Sequence, residues 1–98
     1  MASLPKGAFC LEGHIDVPED RIPSVTIALE EHIELTRQEP GCIYFKVDPC
    51  QKVKGRFLVS EAFVNEEAFR FHQERAAASS WGQESSGLSR DYRTRVVS

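Results

Sequence analysis

The chain lacks most of the features that give a function away at once. No apolar run approaches the ~20 residues that a helix needs to cross a bilayer, so no membrane partner is expected. Basic residues do not exceed acidic ones: 12 Lys and Arg stand against 15 Asp and Glu, a net charge of −3. Domains that bind nucleic acid by bulk electrostatics are usually basic, so no nucleic-acid partner is expected. Cysteine is scarce and odd in number, with only Cys10, Cys42 and Cys50. That is not the even framework of a secreted disulfide scaffold, and without Cys-x-x-Cys no structural zinc site is expected. Phosphate-binding loop, dinucleotide fingerprint, Gly-x-Ser-x-Gly elbow and His-Glu-x-x-His are all missing. Met1 to Gly7 carry one Lys and no apolar core, so no signal peptide is expected and the expected location is cytoplasmic.

What is present is a short globular composition. The chain has 98 residues, 41% of them apolar and 28% charged, which fits one domain spanning residues 1–98. A domain of this size buries only roughly 60–65% of the surface its unfolded chain exposes, so a partner subunit would help it.

Period-two alternation marks Phe9 to Val17 as a strand, with Phe9, Leu11, Ile15 and Val17 on one face and Cys10, Glu12, His14 and Asp16 on the other. Gly13 falls on the apolar face, where a missing side chain admits the close approach of another group, a ligand included. A helix follows from Ile22 to Gln38, its stripe made by Ile22, Val25, Leu29, Ile33 and Thr36 with His32 beside it. Glu39-Pro40-Gly41 stops it. Cys42 to Asp48 reads as a second strand with Ile43, Phe45 and Val47 on one face. After a polar turn, Arg56 to Val64 forms a third strand, apolar on both faces and therefore central. Asn65 caps a second helix that runs to Ala78, Ser79 to Gly87 is a loop or a single helical turn, and Leu88 to Val97 is the last strand.

The order strand–helix–strand–strand–helix–strand specifies an α+β, ferredoxin-like fold: a four-stranded antiparallel sheet with two helices on one face. The opposite face carries Cys10, Leu58 and Ala62, and no third layer remains to cover it. A second copy packing sheet to sheet would do so, hence a homodimer is expected.

Between sheet and helices, the second helix offers His72, the segment after it Trp81, and the third strand Glu61 on the face that also holds Phe57, Val59 and Phe63. A carboxyl among aromatic neighbours is an orienting hydrogen-bond partner or a group of raised pKa, and a histidine on an apolar helix face can serve as a general base. The blander alternatives are a satisfied core histidine and a tryptophan that only packs. His14 points to the expected dimer face, and His32 edges its helix. Arg90, Arg93 and Arg95 read together as a solvated strand face. Cys50, after Pro49 and near Lys52 and Lys54, is the one thiol whose surroundings could lower its pKa.

The run Gln38-Glu39-Pro40-Gly41-Cys42-Ile43-Tyr44-Phe45 resembles the start of the second strand in the antibiotic biosynthesis monooxygenase family. Arg56 to Phe63 is similar to that family's third strand, and Asn65 to His72 to its second helix, histidine included. The resemblance implies a dimeric α/β barrel. It also implies cofactor-independent oxidation of a small electron-rich aromatic, a hydroquinone or polyketide phenol, by O2. Carried onto this chain, His72 is the base or orienting group, Glu61 its strand neighbour, and Trp81 and Phe63 aromatic walls; apart from the resemblance, Phe57 and Gly13 on the same sheet face are further candidate substrate contacts. Haem-degrading relatives need a second histidine after the second helix, where this chain has Gly82 and Gln83, so no haem is implied. Two alternatives stand beside the monooxygenase: an isomerase or lyase working on a small carbonyl metabolite through an enolate, and a non-enzymatic dimeric module that binds a hydrophobic metabolite.

Overall fold

The computed structural model describes residues 3–98. The first two positions of the Met1–Gly7 stretch, read above as no signal peptide, lie outside them. Four strands, β1 (Phe9–Asp16), β2 (Cys42–Pro49), β3 (Arg56–Phe63) and β4 (Ser89–Val96), form one antiparallel sheet in the order β2-β3-β1-β4. Helices α1 (Ile22–Arg37), α2 (Glu66–Ala77) and the short α3 (Ser80–Glu84) complete the ferredoxin-like βαββαβ arrangement. The strand from Arg56 is central, as its two apolar faces require. The stretch after α2 is the single helical turn that the sequence allowed.

Local chemistry sets the helix ends. Pro23 sits in the first turn of α1, where its missing N–H costs nothing, and Arg37 occupies the last turn at the negative end of the dipole. Asn65 Oδ1 accepts from Ala68 N at 2.8 Å, and Glu66 and Glu67 fill the first turn of α2. The helix-facing side of the sheet packs Leu11, Ile15, Val59 and Phe63 against Val25 of α1 and Phe69 of α2. Phe69 stacks on Phe9 at 4.4 Å between ring centres.

Two expectations change, and a third takes a definite form. In β2 a bulge between Cys42 and Tyr44 breaks the alternation: Cys42 pairs with Phe63 and packs on the core, while Ile43 is exposed. Phe45 and Val47 keep the assigned face, opposite Glu61 and Val59. The far side of the sheet is less apolar than its composition suggested. Cys10 and Ala62 pair with each other and are buried, flanked across the strands by Arg95 and Tyr44, so Leu58 is the large apolar side chain exposed mid-strand there. Gly13, finally, is accounted for within the chain: a Cβ there would collide with the Asp91 backbone of β4, so the open position serves strand pairing.

Candidate functional site

A cavity of about 340 Å³ lies between the sheet and the three helices. Period-two alternation delivers Phe45 and Val47 from β2, Val59 and Glu61 from β3, Ile15 from β1, and Arg90 and Tyr92 from β4 to one face. Leu29 and His32 of α1, His72 and Ala76 of α2 and Trp81 of α3 form the other walls. Helical spacing explains His32 and His72: Val25, Ala28, Leu29, His32 and Thr36 are the buried stripe of α1, and Phe69 and His72 that of α2.

The polar centre is built around His72, which is 5% exposed. Its Nδ1 lies 3.1 Å from Glu39 Oε1, and the other Glu39 oxygen accepts from Arg75 Nε at 2.5 Å. Arg75 Nη2 also donates to Thr36 Oγ1 at 3.0 Å, and that hydroxyl donates to the His32 carbonyl at 2.6 Å. A carboxylate facing Nδ1 calls for a proton there, which leaves the lone pair on Nε2. Glu61 Oε1 stands 4.0 Å from Nε2.

Gly41 explains how Glu39 reaches α2. A Cβ on Gly41 would lie 2.5 Å from Ala68 Cβ, so the start of β2 runs directly against the helix. Ala68, His72 and Arg75 share one face of α2 by their spacing, and Glu39, two residues before Gly41, meets the latter two. The far wall has a similar origin. Gly82 approaches the carbonyls of Ala76 and Ala77 closely, folding α3 back over the end of α2. Trp81 then stacks on His32 with ring centres 5.1 Å apart and planes 11° from parallel.

Burial controls the charge states. It pushes the Glu61 carboxyl up to about 8, helped by the nearby Glu39 carboxylate. Burial lowers His32 to about 3, with His72 and Arg75 adding to the effect. His72 is lowered too, chiefly by burial, with Glu39 opposing. Near neutral pH the centre therefore holds two neutral imidazoles and a carboxyl that keeps its proton. His32 Nδ1 is buried without a hydrogen-bond partner among the described residues.

Of the six residues singled out from sequence, the cavity brings together His72, Glu61 and Trp81. Phe63 is fully buried beneath it, 4.9 Å from the His72 ring, and supports that ring instead of lining the cavity. Phe57 is half-buried against the core, and Gly13 sits in the β1–β4 pairing; neither lines the cavity. Sequence reasoning missed Glu39, Arg75, His32 and Arg90. Glu39 looked like punctuation at a helix end. His32 carried a usable signal, its place beside the α1 stripe. Arg90 carried another: its parity along β4 differs from that of Arg93 and Arg95, so it faces the helices while they face away. Among the described residues, no group of three His, Cys, Asp or Glu side chains is placed to hold a metal ion.

The sequence model of the antibiotic biosynthesis monooxygenase family matches residues 8–83, most of the chain. The chain belongs to this family. Its fold is that of other solved structures at low identity. A conserved protein from Bacteroides thetaiotaomicron, described as a candidate oxidoreductase, superposes with a TM-score of 0.80 at 18% identity, over 94% of this chain and 99% of that one. A candidate antibiotic biosynthesis monooxygenase from Caulobacter crescentus gives 0.77 at 15% identity, over 95% and 92% of the two chains. A protein from Shewanella oneidensis gives 0.75 at 22% identity over 98% of each. No curated protein matches in sequence. For this member of the antibiotic biosynthesis monooxygenase family, these likenesses establish the fold; the chemistry must be argued from the cavity.

Proposed function

We propose that this chain is a cofactor-independent monooxygenase or quinol oxidase acting on a small electron-rich aromatic. The observation that carries the reading is the buried Glu39–His72 pair, which directs a basic Nε2 into a largely apolar cavity. The phenolic proton passes to His72 Nε2, and Glu39 stabilises the imidazolium that forms. Desolvated between aromatic walls, the resulting anion is a strong electron donor and passes one electron to O2. The superoxide and the ring-centred radical then combine to form a C–O bond. Cleavage of the O–O bond leaves one oxygen on carbon as a carbonyl, and the other departs as water with the two hydrogens the substrate has lost. Glu61, carrying its proton, donates a hydrogen bond to the substrate oxygen at the same end. Trp81, stiffened by its stack on His32, forms a flat wall for the ring.

A specific feature favours the enolate reading as runner-up. A base and a protonated carboxyl 4.0 Å apart are also an acid–base pair for moving a proton beside a carbonyl. Oxygen dependence separates the two. Metal-stripped protein supplied with hydroquinones and naphthols in an oxygen-electrode cell is expected to take up O2 without additives. His72→Ala should lower turnover by about 10²–10⁴-fold with an unchanged circular dichroism spectrum. Undiminished uptake in that variant would remove His72 as the base, and proton exchange without uptake would favour the enolate chemistry.

The working unit is proposed to be a homodimer joined through the far face of the sheet. Glu12, His14, Lys46, Asp48 and Arg93 surround Leu58 there, a mixed-charge surface that can pair with its own copy about a two-fold axis.

A further inference from the structure

The polar groups of the cavity lie in two places. Glu61, His32, His72 and Ser85 are buried and Tyr92 is half-buried, whereas Gln73, Ser86 and Arg90 are exposed lining residues and so mark the rim. Among the described residues, Arg90 is the one Lys or Arg side chain that lines the cavity. Its register partner is Ile15, whose side chain is in the core, so β4 must turn Arg90 inward. The other arginines near the site do not line the cavity: Arg21 donates to the Glu84 and Ser86 carbonyls from outside it, and two more are charge-paired. Arg75 is paired with Glu39, and Arg56 with Asp16 further along the sheet. Arg90 instead donates Nη2 to Ser85 Oγ at 2.8 Å and Nη1 to the Leu88 carbonyl at 3.3 Å and lies beside the Tyr92 hydroxyl, all neutral partners. Among the described residues no carboxylate lies within ion-pair distance of it. A guanidinium has five N–H donors in a planar fork, so two such bonds fix its position and leave donors free. Glu61, the only carboxyl lining the cavity among the described residues, is at the buried end.

We infer that Arg90 is an anion-recognition residue at the cavity rim, and that the natural ligand is a hydroxyaromatic acid whose hydroxyl goes in first, toward His72 and Glu61, with its carboxylate left at Arg90. This deepens the reading of the cavity as a substrate site and rests on it. The division of labour is physical: apolar walls supply affinity for the ring, and a single charge at the wet end fixes which end enters. An arginine suits the role because its planar guanidinium donates two parallel hydrogen bonds to the two oxygens of a carboxylate.

Binding can be measured without turnover. Calorimetric titrations would compare 6-hydroxy-2-naphthoate with its neutral primary amide and with 2-naphthol. The carboxylate is expected to bind about tenfold tighter than the amide, the margin narrowing as salt is raised. Arg90→Gln should abolish that margin while leaving 2-naphthol affinity unchanged, which also shows that the cavity is intact. Arg90→Lys should retain part of it. Equal affinity for carboxylate and amide, or a preference that survives in Arg90→Gln, would overturn the inference. Should Arg90→Gln fail to fold, loss of the margin at high salt in the native chain decides the matter, and its persistence refutes the role. Failure of the oxygen chemistry would appear as absent O2 uptake with this affinity pattern intact, so the two readings fall separately.

Discussion

Glu61 and His72 face each other with protonation preferences that both favour the neutral form, and this ties stability to pH in opposite senses. The Glu61 carboxyl moves from an ordinary 4.5 to about 8 on folding. A carboxyl raised in this way contributes stability that is complete below about 4.5 and lost as pH rises through about 8. His72 is lowered from 6.5, so its contribution is complete above 6.5 and lost as pH falls through the lower folded value. Thermal melts are expected to show stability falling between pH 5 and 9, and Glu61→Gln, which stays neutral, should flatten that fall. A native slope unchanged in the variant would mean that Glu61 ionises normally. Under the proposed function the same groups set the pH profile: turnover should decline on the alkaline side near pH 8 as Glu61 loses its proton, and Glu61→Gln should remove that limb. Glu61 and His72 were legible because regular alternation and helical spacing place them on inward faces. Glu39 was not, because it lies between elements, where no period says which way a side chain points.

Between elements, the close approach of β2 to α2 at Gly41 is the joint that assembles the polar centre. Gly41→Ala must force Ala68 and the helix outward, at about 1–3 kcal/mol for an overpacked contact. It should also lengthen the Glu39–His72 contact. Urea unfolding midpoints and O2 uptake are therefore expected to fall together. Asn65→Ala provides the contrast, since it removes the cap on α2 and costs about 1 kcal/mol without touching the joint. Its activity per folded molecule should match the native chain. If Gly41→Ala lost stability and kept full activity, the joint would be structural only. The β2 bulge illustrates why strand faces are less secure at their ends. One extra residue exchanges Cys42 and Ile43 between faces, and the apolar character of both left the sequence pattern silent about it.

At the scale of the whole molecule, the proposed homodimer rests on the far face of the sheet. Leu58 is 47% exposed in the middle of that face, within a surround of mixed charge. A dimer through it should be visible by light scattering at micromolar concentration as twice the 11.1 kDa chain mass. Leu58→Glu, placing a like charge opposite itself across the two-fold axis, should give monomers. A native chain that runs as a monomer would refute the assembly.

Much of the architecture was determined by the sequence alone, because it follows from local periodicity and punctuation: the βαββαβ order, the central third strand, the Asn65 cap and the stop at Pro40. The same periodicity put His72 and Glu61 on facing surfaces. Only the tertiary structure decided which groups complete the centre. Glu39 and Arg75 meet His72 across the β2–α2 joint, His32 and Trp81 meet where α3 folds back, and Arg90 reaches the rim from an edge strand. These contacts join positions distant in the chain, and a periodic pattern records the face a residue occupies but not its neighbour from another element. Burial, which holds the proton on Glu61 and keeps His72 neutral, is likewise a property of all the layers together.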